Sequence, residues 1–126
     1  MPATPGPVLI IEDDAATREL LRDVLESHGL RCAMAGSAEA GLSLLPVVRP
    51  SLIVLDINLP GMDGVSAARQ LRATPDTAAL KLIGMSAHAL AGEIALIESA
   101  GFDAFFSKPF SFKALLQRVR QLLGEC

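Results

Sequence analysis

Cysteine is scarce in this chain. Only Cys32 and Cys126 occur, they lack CxxC spacing, and the second is the last residue. That argues against a structural zinc site and against a disulfide framework, and a reducing cytoplasm is the expected location. Long apolar runs are missing too. The opening residues Met1-Pro2-Ala3-Thr4-Pro5-Gly6-Pro7 carry neither a basic segment nor an extended apolar stretch, so no signal peptide and no membrane insertion are expected, and residues 1–7 read as a flexible tail. Basic charge is not in excess: 11 Lys and Arg stand against 14 Asp and Glu, for a net charge of −3. The basic residues are spread along the chain, which lacks the footprint of a direct nucleic-acid binder. Internal repeats and low-complexity segments are absent as well. The length of 126 residues has room for one domain with a real core, expected over residues 8–126.

What the chain does contain is a regular alternation of short apolar runs with amphipathic stretches. Val8-Leu9-Ile10-Ile11 is continuous and β-branched, as a buried strand requires, and ends in Glu12-Asp13-Asp14. From Ala16 to His28 the apolar residues Leu20, Leu21, Val24 and Leu25 recur at helical spacing, with Asp14 as N-cap and Gly29 as stop. A weaker strand is expected over Arg31–Ala35, followed by a helix from a Ser37 cap through about Leu45; Pro46 and Pro50 bracket the next connection. The run Leu52-Ile53-Val54-Leu55 leads to Asp56 and the loop Asn58-Leu59-Pro60-Gly61-Met62-Asp63-Gly64. Beyond it come a helix over about Val65–Arg72, a strand over Leu80–Met85 that Ser86 ends, and a helix over about Ala89–Ala100. A short strand Ala104-Phe105-Phe106 precedes a last helix from Ser111 that carries Leu115, Leu116, Val119 and Leu122 on one side. Strands alternating with helices need crossover connections, so the expected fold is a doubly wound five-stranded parallel α/β sheet in the order 2-1-3-4-5.

In such a sheet ligands bind beyond the carboxyl ends of the strands, where the winding changes direction. Strands 1 and 3 meet there and bring Glu12, Asp13 and Asp56 into one crevice. Crowded acids raise one another's pKa values unless a hard divalent cation relieves the repulsion, and Mg²⁺ is the natural candidate. Ser86 after strand 4 and Lys108, held by Pro109, after strand 5 add a hydroxyl donor and an ammonium, a set suited to a phosphoryl group. Each residue alone has an ordinary explanation: Asp56 as a strand end, Glu12 and Asp13 as a solvated helix start, Ser86 as a cap, His88 as a surface residue.

Taken together, these residues resemble the receiver domain of two-component response regulators from Val8 to Leu123. Glu12-Asp13 match the acidic pair, Asp56 the phospho-acceptor, Asp56 through Gly64 the DxxxPxxxG loop, Ser86-Ala87 the Ser/Thr-Ala signal and Lys108-Pro109 the Lys-Pro signature. The resemblance implies a flavodoxin-like (βα)5 fold and phosphoryl transfer from a histidine kinase or a histidine phosphotransfer protein to Asp56. It also implies Mg²⁺ held directly by Asp13, Asp56 and the carbonyl of Asn58, with Glu12 acting mainly through water. Ser86 and Phe105 take the switch positions, altering a face built from helix 4, strand 5 and helix 5 toward a downstream protein. Asn58 and His88 are expected to tune dephosphorylation. Glu12 replaces the more common Asp, and Phe105 lacks the hydroxyl of the frequent Tyr. An aspartyl phosphatase of the haloacid-dehalogenase type is disfavoured, because its second acid, two residues after the nucleophile, is here Asn58. A receiver that serves only as a binding scaffold has no need of the full set Asp13, Asp56, Ser86 and Lys108. Whether the domain stands alone or is a piece of a larger regulator or hybrid kinase stays open.

Overall fold

The alternation of apolar runs and amphipathic stretches folds as five parallel strands and five helices in a computed structural model that describes residues 6–87 and 91–124. In chain order these are β1 (Val8–Ile11), α1 (Ala15–Ser27), β2 (Cys32–Ala35), α2 (Ala38–Val48), β3 (Leu52–Asp56), α3 (Gly64–Ala73), β4 (Lys81–Ser86), α4 (Ala91–Ser99), β5 (Ala104–Ser107) and α5 (Phe112–Leu122). The strands lie in the order β2-β1-β3-β4-β5, as the sequence predicts. Every neighbouring pair is parallel, with Val8 opposite Leu52 and Ile11 opposite Leu55 across β1 and β3.

The continuous apolar runs are explained by a sheet covered on both faces. Successive side chains point to opposite sides of a strand. Leu9, Ile11, Ile53, Leu55 and Leu82 therefore join Ala67, Ala68 and Leu71 of α3 in one core. Val8, Ile10, Leu52, Val54, Ile83 and Met85 join Leu21 and Leu25 of α1 and Leu115, Leu116 and Val119 of α5 in the other. Burying one such side chain contributes about 1.5–3 kcal/mol, so the two layers hold the strand ends, and the acids on them, in fixed register.

Element boundaries shift by one to three residues from expectation, and the clearest differences have physical reasons. Helix α2 continues through Pro46 to Val48, where a break after Leu45 is expected. Pro46 is exposed, Leu42, Leu44 and Leu45 still pack on the core, and the helix ends where Arg49 turns left-handed (φ 47°) before Pro50. Strand β4 runs one residue later than expected because the Leu80 N–H is spent on the Thr77 carbonyl in a turn (3.1 Å), while Ser86 pairs with Ser107. Within the expected tail, the carbonyls of Gly6 and Pro7 accept from the Ser51 hydroxyl and the Ser51 N–H respectively. Residues 1–5 and 88–90 lie outside the described residues, and so does the expected start of α4 at Ala89. No helix among the described residues is long and apolar enough to cross a membrane.

Candidate phosphoryl and metal site

The carboxyl ends of β1, β3, β4 and β5 converge on one crevice, and each delivers a polar side chain. Glu12 follows β1 directly, and its backbone N–H still donates to Ala35 of β2 (3.1 Å), which keeps its side chain at the sheet edge and buried (1% exposed). The next two residues turn into α1: Asp14 caps the helix by accepting from the Thr17 N–H (2.9 Å) and hydroxyl (2.6 Å). These bonds hold the Asp14 carboxyl below its ordinary value. Asp13, between the buried acid and the cap, is exposed. The guanidinium of Arg18, one turn into α1, donates to the Glu12 carbonyl (2.8 Å) and ties this turn down. Sequence reasoning did not single out Arg18; a basic residue one turn after an acidic helix start is too common to stand out.

Asp56 ends β3 and is 3% exposed. Its Oδ1 accepts from the Asn58 N–H (2.9 Å), which fixes the plane of the carboxylate, and its Oδ2 faces the Lys108 ammonium (3.3 Å). The loop that follows folds back sharply. Gly64 opens α3 with its N–H on the Ile57 carbonyl (3.0 Å), and a Cβ there would lie 2.6 Å from the Asp56 carbonyl oxygen. Only glycine permits that approach.

Lys108 reaches the crevice from beyond β5, its backbone N–H bound to the Ser86 carbonyl (2.7 Å). Its ammonium lies closer to Glu12 Oε1 (2.7 Å) than to Asp56. The other Glu12 oxygen accepts from the Asp14 N–H (3.1 Å). Burial pushes the Glu12 carboxyl up from its ordinary 4.5 to about 7; the hydrogen bonds from Lys108 and Asp14 oppose the rise, and neighbouring Asp56 adds to it. Burial pulls the Lys108 ammonium down, but Glu12 and Asp56 more than offset it and leave its pKa raised.

One oxygen each of Glu12, Asp13 and Asp56 lie within 4.8 Å of one another. With all of them ionised, these three carboxylates against the single Lys108 ammonium leave two negative charges, the complement of one divalent ion. Oxygen donors of this kind are the set that a hard cation takes.

Ser86, at the end of β4, is fully buried and donates its hydroxyl to the side-chain Oδ1 of Asn58 (2.9 Å), which also accepts from the Ala87 N–H (3.1 Å). The crevice thus brings together Glu12, Asp13, Asp56, Asn58, Ser86 and Lys108. Phe105 stands apart. It is partly buried in β5 on the face opposite Phe106, and Phe106 belongs to the α1/α5 core with Phe110 at 6.0 Å between ring centroids. His88 lies outside the described residues.

Residues 8–120 match the family model of the response regulator receiver domain. The chain is 36% identical over 119 residues to response regulator MprA of Mycolicibacterium vanbaalenii, an alignment covering 94% of this chain and 51% of that protein. It spans about half the length of the curated relatives it matches. The signal receiver domain of a signal transduction histidine kinase from Syntrophus aciditrophicus has a TM-score of 0.89 at 28% identity, covering 94% of this chain and 90% of that one. The signal receiver domain of a DNA-binding response regulator from Colwellia psychrerythraea gives 0.88 at 30% identity, covering 95% and 99%. Chemotaxis protein CheY4 of Vibrio cholerae gives 0.86 at 18% identity over 94% and 99%, a likeness of fold. With the acidic crevice at the switch point of a 2-1-3-4-5 sheet and a family match over nearly its whole length, the chain belongs to the response regulator receiver domains of two-component signalling.

Proposed function

We propose that this receiver accepts a phosphoryl group on Asp56 from a histidine kinase or a histidine phosphotransfer protein, with Mg²⁺, and thereby switches a protein-interaction surface. The observation that carries the reading is the state of Asp56: a buried carboxylate with one oxygen fixed by the Asn58 N–H and the other facing the Lys108 ammonium. A lone pair of Asp56 Oδ2 forms the new P–O bond in line with the breaking P–N bond. The P–N electron pair returns to the donor imidazole, which leaves as the neutral ring when its other nitrogen carries a proton. Lys108 offsets charge on the phosphoryl oxygens, and Ser86 and Ala87 offer neutral donors to one of them. Bound Mg²⁺ would neutralise charge on the remaining oxygens.

Asp13, Asp56 and the Asn58 carbonyl are the direct ligands in this reading, and Glu12 acts through water. The engagement of both Glu12 oxygens by Lys108 and the Asp14 N–H supports that division. Hydrolysis of the acyl phosphate is slow self-dephosphorylation, because Asn58 lacks the basicity of the second acid that a phosphatase places there. Asn58 and His88 set its rate. The output surface in this reading is the face of α4, β5 and α5; α4 carries the exposed apolar residues Ile94 and Leu96 (36% and 51%), and Phe105 lies in β5.

Incubation with acetyl phosphate and Mg²⁺ should add one phosphoryl group to the wild type, read by intact mass, and none to Asp56→Asn. Equal labelling of both proteins removes Asp56 as the acceptor.

A further inference from the structure

The side chain of Asn58 crosses from the end of β3 to the end of β4. Its Oδ1 accepts at once from the Ser86 hydroxyl (2.9 Å) and the Ala87 N–H (3.1 Å). The orientation of the amide is set by chemistry: a backbone N–H only donates, so the oxygen and not the NH2 group must face Ala87. Ser86 is fully buried. A single oxygen between a buried hydroxyl and a backbone N–H, one strand away from a nucleophilic carboxylate, reproduces what a phosphoryl oxygen on Asp56 would require of the same two donors. Both cannot be there together.

We propose that Asn58 is the resident acceptor of this donor pair, an internal competitor that a phosphoryl group must displace; this rests on the reading of Asp56 given above. While Asp56 is unmodified, the amide keeps Ser86 and Ala87 satisfied and holds the β4 end in its resting position. When the phosphoryl group arrives, the two donors exchange one acceptor for another, so their gain is partly cancelled and the phosphorylated state is less favoured than Ser86 and Ala87 alone would make it. Asn58 is a positioning residue here, acting through Ser86 and Ala87. Its effect on occupancy is separate from any effect on attacking water, because it operates before the acyl phosphate exists.

The competition is measurable with beryllofluoride, a phosphoryl mimic that binds the carboxylate reversibly. The full chain is titrated with beryllofluoride at fixed saturating Mg²⁺ as wild type, Asn58→Ala, and Asn58→Ser, which is too short to reach β4. Removing the competitor should tighten binding about three- to tenfold, the worth of one ordinary hydrogen bond or slightly more. In the absence of the mimic, the Ala87 amide proton should move upfield in both variants as it loses its acceptor. Unchanged or weaker binding in both variants overturns the proposal, as does an Ala87 resonance that does not move. The two readings fail differently. If wild type binds no beryllofluoride and Asp56→Asn still takes label from acetyl phosphate, the Asp56 reading falls and this proposal falls with it. If wild type binds and the Asn58 variants bind no tighter, only the competitor role is lost.

Discussion

Replacing Glu12 with Gln should remove a pH dependence of stability that burial imposes on the metal-free protein. The folded state raises the Glu12 carboxyl to about 7 from an ordinary 4.5, chiefly by burial. Below pH 4.5 the group is protonated whether the chain is folded or not, and the stability attached to it is fully present. Between 4.5 and 7 the unfolded chain gives up the proton while the folded chain keeps it, so rising pH favours unfolding. Above about 7 the loss is complete. At about 1.4 kcal/mol per pH unit, the interval corresponds to about 3 kcal/mol. Lys108, whose pKa is raised by Glu12 and Asp56, titrates far above this window. Urea unfolding of wild type and Glu12→Gln at pH 5, 6, 7 and 8, with a chelator present, isolates the contribution as the difference between the two curves. The wild type should lose about 2–3 kcal/mol more than the variant between pH 5 and 8. Parallel curves, or a wild type that gains on the variant as pH rises, would refute the reasoning and place the Glu12 carboxylate as a stable ion pair with Lys108.

The metal reading makes a second demand: calorimetric Mg²⁺ titration should show a larger loss of affinity in Asp13→Asn than in Glu12→Gln, and the reverse order would exchange their direct and water-mediated roles. Gly64→Ala drives a Cβ against the Asp56 carbonyl oxygen (2.6 Å) and should cost about 1–3 kcal/mol in urea unfolding, with acetyl phosphate labelling of Asp56 slowed in the same variant; a neutral effect on both would mean the loop yields freely. Arg72 donates to the carbonyls of Ala78, Leu80 and Gly101 and to Asp103, joining the end of α3 to the entry of β4 and the turn before β5. Arg72→Lys should recover little of the roughly 2–3 kcal/mol expected to be lost in Arg72→Ala, because one ammonium does not reproduce the planar fork; full rescue in thermal or urea unfolding would reduce the contact to simple charge.

The sequence by itself determined the layers and the place of the crevice. Four consecutive apolar residues at Val8–Ile11 and Leu52–Leu55 are what a strand buried on both faces demands, and the side-chain period of two then sorts them between two cores without further choice. The clustering of the acids that follow those runs was legible for the same reason: a polar residue directly after a buried strand stands at the carboxyl edge of the sheet. Helix caps were legible at Asp14 and Ser37 because capping is a contact between residues three apart. The tertiary structure alone decided what depends on distances between strands. Lys108 pairs with Glu12 at 2.7 Å and with Asp56 at 3.3 Å, a choice set by the offset of β1, β3 and β5 and invisible in a Lys-Pro dipeptide. Phe106 and not Phe105 enters the α1/α5 core because the register of β4 and β5 sets which of the two alternating rings faces it. The Arg72 fork meets Gly101 across 29 residues, and Asn58 meets Ser86 across 28. Such partners are fixed only when packing brings separate strand ends within hydrogen-bond reach, and no local pattern records that reach. Burial likewise turned Glu12 from an ordinary acid into one that holds its proton to about 7, since desolvation belongs to the surroundings of a group and not to its neighbours along the chain.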